Sequence, residues 1–187
     1  SVNKSIKSKV HVVHKANVMK ITDGIFLDAC RLVSLKYNDV DYEEMLVDAC
    51  AAHLVRKPDQ FDVIVTTNMF GDILSDLATE LSGSLGLAGS LNAGNNHAMA
   101  QAQHGAAPDI ADKNIANPIS LILSSAMLLD WLGKNREIDK LILASNLIND
   151  SVLELLKDRE NFTRDLGGNA STGKITENLI KILNKII

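Results

Sequence analysis

An α/β fold is what this sequence predicts, and three observations predict it. Two short segments rich in β-branched residues, Val10-His11-Val12-Val13-His14 and Phe61-Asp62-Val63-Ile64-Val65-Thr66, read as strands. Each leads into residues spaced for one face of a helix. The last third of the chain is helical in pattern apart from one glycine-rich break. The 187 residues are 46% apolar and 22% charged, the composition of a soluble globular protein of one large or two small domains.

The elements follow in order. The strand at residues 10–14 opens the pattern with no earlier element as a neighbour. Residues 23–36 form a helix, with Ile25, Ala29, Leu32 and Val33 on one face. Residues 41–56 read as a second helix, capped by Asp41 with Glu44 and stopped by Pro58. The strand at 61–66 then runs into a helix ending near Leu81. Residues 82–96 carry four glycines, which mark a flexible connection and a candidate domain boundary. Residues 97–117 are loop-like, with a Gly105-Ala106-Ala107-Pro108 turn and a further proline at Pro118.

Three helices close the chain. Residues 119–132 form an apolar run broken by Ser120, Ser124, Ser125 and Asp130. It is shorter than the roughly 20 residues of a membrane span, so it reads as a buried helix. Residues 138–156 place Leu141, Ser145, Ile148, Val152 and Leu155 on one stripe. The last helix occupies 174–187, after a Gly167-Gly168-Asn169-Ala170-Ser171-Thr172 break in which Ser171 or Thr172 suits an N-terminal cap.

Charge and cysteine usage exclude some classes of function. A net charge of −4, with one short basic stretch at residues 4–9, argues against a nucleic-acid or anionic membrane partner. Two cysteines, Cys30 and Cys50, in helix-like segments fit a reduced compartment, the cytoplasm or a mitochondrial matrix. The polar, basic first residues have no signal-peptide pattern.

Four groups of residues carry chemistry. In Asn68-Met69-Phe70-Gly71-Asp72-Ile73-Leu74-Ser75-Asp76, the two carboxylates are four apart, so a helix puts them on one face. Like charges that close suit a hard divalent cation with oxygen ligands; the alternative is a solvated first turn at the positive end of the helix dipole. Asp48 lies among Val47, Ala49, Cys50, Ala51 and Ala52, where a carboxylate is costly unless paired or turned to solvent. Lys15 at a strand end is a proton shuttle if its surroundings lower its pKa, and otherwise a surface lysine. His11 and His14, three apart on a strand, face opposite sides and are not a metal pair. In His104-Gly105-Ala106-Ala107-Pro108-Asp109-Ile110, the glycine allows close backbone approach to a ligand and the proline fixes the turn. Asp109 there suits a ribose diol, although no Gly-x-Gly-x-x-Gly fingerprint is present.

Together these segments resemble the β-decarboxylating dehydrogenases, the isocitrate and isopropylmalate dehydrogenase family, from about Val10 to the end of the chain. The resemblance rests on Val13-His14-Lys15-Ala16-Asn17-Val18-Met19-Lys20, the Asn68 to Asp76 block, Gly83-Ser84-Leu85-Gly86-Leu87 and residues 104–118. It implies the isocitrate/isopropylmalate dehydrogenase-like fold, carboxy-terminal portion only. Residues 1–82 are then part of the smaller, dimer-forming domain, and residues 83–187 the carboxy-terminal part of the large domain. It also implies that the family's amino-terminal half, with its substrate-reading residues, is missing.

The resemblance further implies roles for named residues. Asp48, Asp72 and Asp76 match the family's Mg²⁺ or Mn²⁺ ligands, Asp48 reaching into the partner subunit of a homodimer. Lys15 matches the catalytic lysine that enters the neighbouring active site as a proton-transfer group, and Asn17 a substrate or nicotinamide contact. His104, Gly105, Asp109, Ile110 and Asn117 match the adenosine-binding loop. In such enzymes the metal chelates the hydroxyl and carboxylate of a 2-hydroxy acid and stabilises the charge left by CO₂ loss, while the nicotinamide takes the hydride. A carboxylate at Asp109 favours the free ribose hydroxyls of NAD over the 2′-phosphate of NADP.

The run from His14 to Lys20, followed by Thr22-Asp23-Gly24-Ile25-Phe26, is more similar to isocitrate or homoisocitrate enzymes than to isopropylmalate enzymes. The family pattern is departed from at Gln101, where many members have glutamate, at Ala106 for serine, and at Asp112 for glycine. The expected function is NAD-linked oxidative decarboxylation of a 2-hydroxy acid, isocitrate first. The alternatives are isopropylmalate or homoisocitrate as substrate, a non-catalytic regulatory subunit, and a simple nucleotide-binding module.

Overall fold

The computed structural model describes residues 8–186; most of the basic stretch at 4–9 lies outside the described residues. The fold divides between Leu81 and Ser82 into two compact units.

The first unit is built on three parallel strands. β1 (Lys9–His14) is central, with β2 (Asp41–Leu46) on one side and β3 (Val63–Thr66) on the other. β1 takes its neighbours from later in the chain: it pairs residue for residue with β2, from Lys9 opposite Asp41 to His14 opposite Leu46, and Val10 to Val13 pair with Val63 to Thr66. Helices α1 (Thr22–Ser34), α2 (Val47–Arg56) and α3 (Asn68–Ser82) connect or follow the strands. Successive side chains of β1 point to opposite faces. Val13 packs with Cys50 and Leu54 of α2 and Leu74 of α3.

The segment 41–56 is not one helix. Its first six residues form β2, and the helix begins only at Val47. Glu43, Glu44, Met45 and Leu46 are helix formers in isolation. Pairing with β1 along the whole segment overrides that preference, and side chains add to it. Glu43 forms an ion pair with Lys9, and Glu44 takes both ends of the Arg31 guanidinium at 2.7 and 2.8 Å and the Tyr42 hydroxyl at 2.9 Å. An edge strand tolerates this charge. Pro58 does stop α2, starting a 3₁₀ turn after Arg56.

In the second unit, residues 82–96 and 97–117 are less irregular than their composition implies. They contain an antiparallel hairpin of β4 (Gly89–Ala93) and β5 (Ala98–Ala102). The hairpin lies on α4 (Ile119–Arg136), which packs on α5 (Asp139–Leu155); α6 (Thr172–Ile186) completes the unit. The serines that interrupt the apolar run of α4 fasten the two together. Ser120 Oγ donates to the Ala88 carbonyl and accepts from the Gln103 N–H at 3.2 Å. Ser124 Oγ donates to the Gln101 carbonyl at 2.7 Å and accepts from the Ser90 N–H at 3.0 Å. Buried hydroxyls are tolerable there because each is hydrogen-bonded. Ile119, Val152, Leu155, Ala170, Ile175 and Leu179 form the apolar core, and Ser171 Oγ accepts the Lys174 N–H at the start of α6.

Candidate active site

Parallel strands deliver their following loops to one edge of a sheet, and in open α/β sheets ligands bind at that carboxyl edge. Here Lys15 follows β1, Asp48 follows β2, and α3 follows β3. The Lys15 ammonium donates to Asp48 Oδ1 at 2.6 Å. Asp48 occupies the first turn of α2 with its side chain 66% exposed, so it is not sunk among the small residues around it. The hydrogen bond from Lys15 holds its carboxyl below the usual aspartate range, with the start of the helix adding to that.

Lys15 is placed by its backbone. Its N–H donates to Asp23 Oδ2 at 2.6 Å, and Asp23 is 1% exposed at the start of α1. The Lys15 carbonyl accepts the N–H groups of Val18 and Met19, closing a turn that leaves Asn17 exposed. Thr66 at the end of β3 donates its hydroxyl to the Val13 carbonyl at 2.7 Å. No sequence pattern singles out Asp23 as the support of Lys15. Its one signal is position, in the first turn of the helix that follows the lysine, and the eight-residue return of the chain is visible only in three dimensions.

Asp72 and Asp76 share one face of α3 and are both exposed. The helix begins at Asn68, a full turn before Asp72, so the pair does not sit in a first turn where the dipole alone would account for it. Among the described residues, no three His, Cys, Asp or Glu side chains gather as a metal-holding group, so Asp48 does not join Asp72 and Asp76 within one chain. What one chain brings together is Lys15 with Asp48; the α3 pair is presented separately.

The adenosine-loop residues lie in the second unit. His104, Gly105 and Asp109 are exposed, and Ile110 is half-buried. Pro108 to Ile110 form a 3₁₀ turn entered through Ala107 at φ 41°. Asp112 and Asn114 are also left-handed, at φ 59° and 55°. That conformation costs more for a residue with a Cβ than for glycine, and Asp and Asn are among the side chains that tolerate it best. The loop is tied down at its end: Asn114 accepts the Gly173 N–H on its side chain at 3.0 Å and the Thr172 N–H on its carbonyl at 3.1 Å. Asn117 is 9% exposed and turned inward. Its Oδ1 accepts the Ile119 N–H at 3.0 Å, and its Nδ2 donates to Asp165 at 2.9 Å.

Known proteins agree with this architecture. The family model described as isocitrate/isopropylmalate dehydrogenase matches residues 2–181. The chain belongs to the isocitrate/isopropylmalate dehydrogenase family. It is 47% identical to a 3-isopropylmalate dehydrogenase of Sulfurisphaera tokodaii, over 96% of this chain and 52% of that protein. It is 44% identical to an isocitrate/homoisocitrate dehydrogenase of Thermus thermophilus, again over 96% of this chain and 52% of the relative. The crystal structure of isocitrate dehydrogenase from Methylococcus capsulatus superposes with a TM-score of 0.86 at 42% identity, covering 94% of this chain and 50% of that one. The chain thus spans about half the length of the curated relatives it matches. The α/β fold expected from the strand pattern is the isocitrate dehydrogenase-like fold of this family. No described helix is long and apolar enough to cross a membrane.

Proposed function

We propose that this chain is the carboxy-terminal half of a metal-dependent, NAD-linked dehydrogenase that oxidatively decarboxylates a 2-hydroxy acid, isocitrate first. The observation that carries the reading is the carboxyl edge of the parallel sheet, where a lysine–aspartate pair 2.6 Å apart and two exposed aspartates on α3 follow neighbouring strands.

The donor set fits the groups the family uses. Asp48, Asp72 and Asp76 offer only carboxylate oxygens, the ligands of Mg²⁺ or Mn²⁺, and Asp109 stands exposed on a loop whose glycine leaves the backbone open. Asp72 and Asp76 of one subunit would hold the metal, with Asp48 from the partner of a homodimer. When bound, the metal supplies Lewis-acid polarisation of the hydroxyl and the developing negative charge, and NAD accepts the hydride. Lys15 Nζ holds or delivers a proton at the reacting carbon, and Asp48 orients that ammonium. Asn17 contacts the substrate or the nicotinamide. His104, Gly105, Asp109, Ile110 and Asn117 bind the adenosine, with Asp109 accepting from the ribose hydroxyls. The free Cys30 and Cys50 accord with a reducing compartment, the cytoplasm or a mitochondrial matrix.

The test uses this chain joined to an amino-terminal half like that of its relatives. Supplied with Mn²⁺ and NAD, it is expected to oxidise isocitrate faster than isopropylmalate or homoisocitrate, and Lys15→Met is expected to lower turnover by at least about a hundredfold while NAD still binds. Preference for isopropylmalate would overturn the substrate, preference for NADP the cofactor, and full activity of chain 1–187 unaided the claim that it is half of an enzyme.

A further inference from the structure

The segment Gly83-Ser84-Leu85-Gly86-Leu87 matches the family yet includes none of the residues assigned above to metal or proton transfer. It caps a 3₁₀ turn, with Ser84 Oγ accepting the Gly86 N–H at 3.0 Å. The same hydroxyl donates to Asp165 Oδ2 at 2.6 Å. Asp165, 81 residues away in sequence, also accepts Asn117 Nδ2 on that oxygen. Burial pushes the Asp165 carboxyl up, but the hydrogen bonds from Asn117 and Ser84 more than reverse this and keep it ionised at neutral pH.

Gly86 closes the arrangement. A Cβ there would meet Asp165 Oδ2 at 2.5 Å and Asn117 Nδ2 at 2.6 Å, so only glycine leaves room for the pair. Asn117 is thereby fixed at both ends of its amide, since its Oδ1 caps α4 at the Ile119 N–H. An amide flip would set its carbonyl oxygen against the Asp165 carboxylate and lose both bonds. The peptide of Asn117, and the exit of the loop from residue 104 onward, are held by this contact.

We propose that Ser84, Gly86 and Asp165 form a clamp that positions Asn117 and with it the adenosine-binding loop, making Asp165 a positioning residue for the cofactor. The inference rests on the adenosine-loop reading of residues 104–117. The clamp touches no reacting atom, so its loss is a loss of cofactor affinity and not of chemistry.

The test compares Asp165→Ala, Asp165→Asn, Ser84→Ala and Asp109→Ala in the chain joined to its amino-terminal half. For Asp165→Ala, the KM for NAD is expected to rise about tenfold, with kcat at saturating NAD and the KM for the hydroxy acid within about twofold of the parent. Asp165→Asn keeps an oxygen for the two donors and is expected to recover most of the loss; Ser84→Ala removes one donor and is expected to give a rise of about threefold. Should Asp165→Ala fail to fold, Ser84→Ala carries the same comparison. If Asp109→Ala raises the KM for NAD and the clamp variants do not, the clamp is overturned and the loop assignment stands. If neither set changes it, the loop assignment fails and the clamp with it. Equal losses across NAD and hydroxy acid would overturn the positioning role in favour of general destabilisation.

Discussion

The carboxyl edge of the parallel sheet and the loop at residues 104–117 present their groups in opposite ways. At the edge, side chains do the presenting: Asp72 and Asp76 stand exposed on a regular helix, and Lys15 and Asp48 meet beyond the ends of two paired strands. The backbone beneath is ordinary strand and helix. In the loop, the backbone is the unusual part, with Ala107, Asp112 and Asn114 in left-handed conformations, and buried side chains such as Asn117 serve to hold it. A site for a small, hard cation needs charge delivered by rigid elements; a site for a flat, extended nucleotide needs main-chain shape. Substitutions at the edge should therefore act on the chemical step, and those in the loop on cofactor affinity.

The largest expected effect is at the edge. In the active enzyme, Asp72→Asn is expected to lower kcat/KM by about a thousandfold or more, and to weaken Mn²⁺ binding measured by electron paramagnetic resonance. Lys15→Met is expected to lower kcat by roughly a hundredfold to ten-thousandfold, with Mn²⁺ affinity little changed. A Lys15 variant that altered only the KM for NAD would break the contrast between the two regions. Asp109→Ala should raise the KM for NAD about tenfold and leave Mn²⁺ binding alone, by fluorescence titration of each ligand.

Stability supplies two smaller tests. His11, on the same face of β1 as Val13, is fully buried with its edge on Phe61, and neither ring nitrogen has a hydrogen-bond partner; Glu43 lies 3.7 Å away. Burial lowers its pKa and Lys9 lowers it further, against the opposing charges of Glu43 and Asp62. A folded pKa below the unfolded one means stability is full above about pH 6.5 and is lost as pH falls through and below that value. Urea denaturation at pH 7.5, 6.5 and 5.5 is expected to show this loss, and His11→Phe is expected to flatten that part of the profile. In the loop, Asp112→Gly removes left-handed strain and is expected to stabilise by about 0.5 kcal/mol, by thermal denaturation.

Much of this was legible in the sequence. The β-branched runs at β1 and β3 and the apolar spacing of α3 stand on local pattern, which a packed structure had no reason to override. β2 was hidden because Glu43 to Leu46 prefer helix locally, and β1, whose parallel pairing makes it a strand, lies some thirty residues earlier in the chain. The hairpin was hidden because Gly89, Ser90, Asn92 and Ala93 have little strand preference, and it depends on hydroxyls of α4 that look in sequence like mere interruptions. Candidate residues at the site could be named from spacing and family likeness. Their supports could not, because Asp23 beneath Lys15 and Asp165 beneath Asn117 act through contacts that only folding creates.

The central claim is that Lys15 and Asp48 serve a metal site whose other acids, Asp72 and Asp76, come from the second subunit. Mixing two inactive variants of the complete enzyme, Asp48→Asn and Asp72→Asn, tests it most directly. After co-refolding in equal amounts, half the dimers are mixed, and each mixed dimer holds one intact site and one doubly altered site. Recovery of roughly a quarter of the parent activity is expected. Activity no higher than that of either variant alone would contradict it, because a site built within one subunit cannot be repaired by its neighbour.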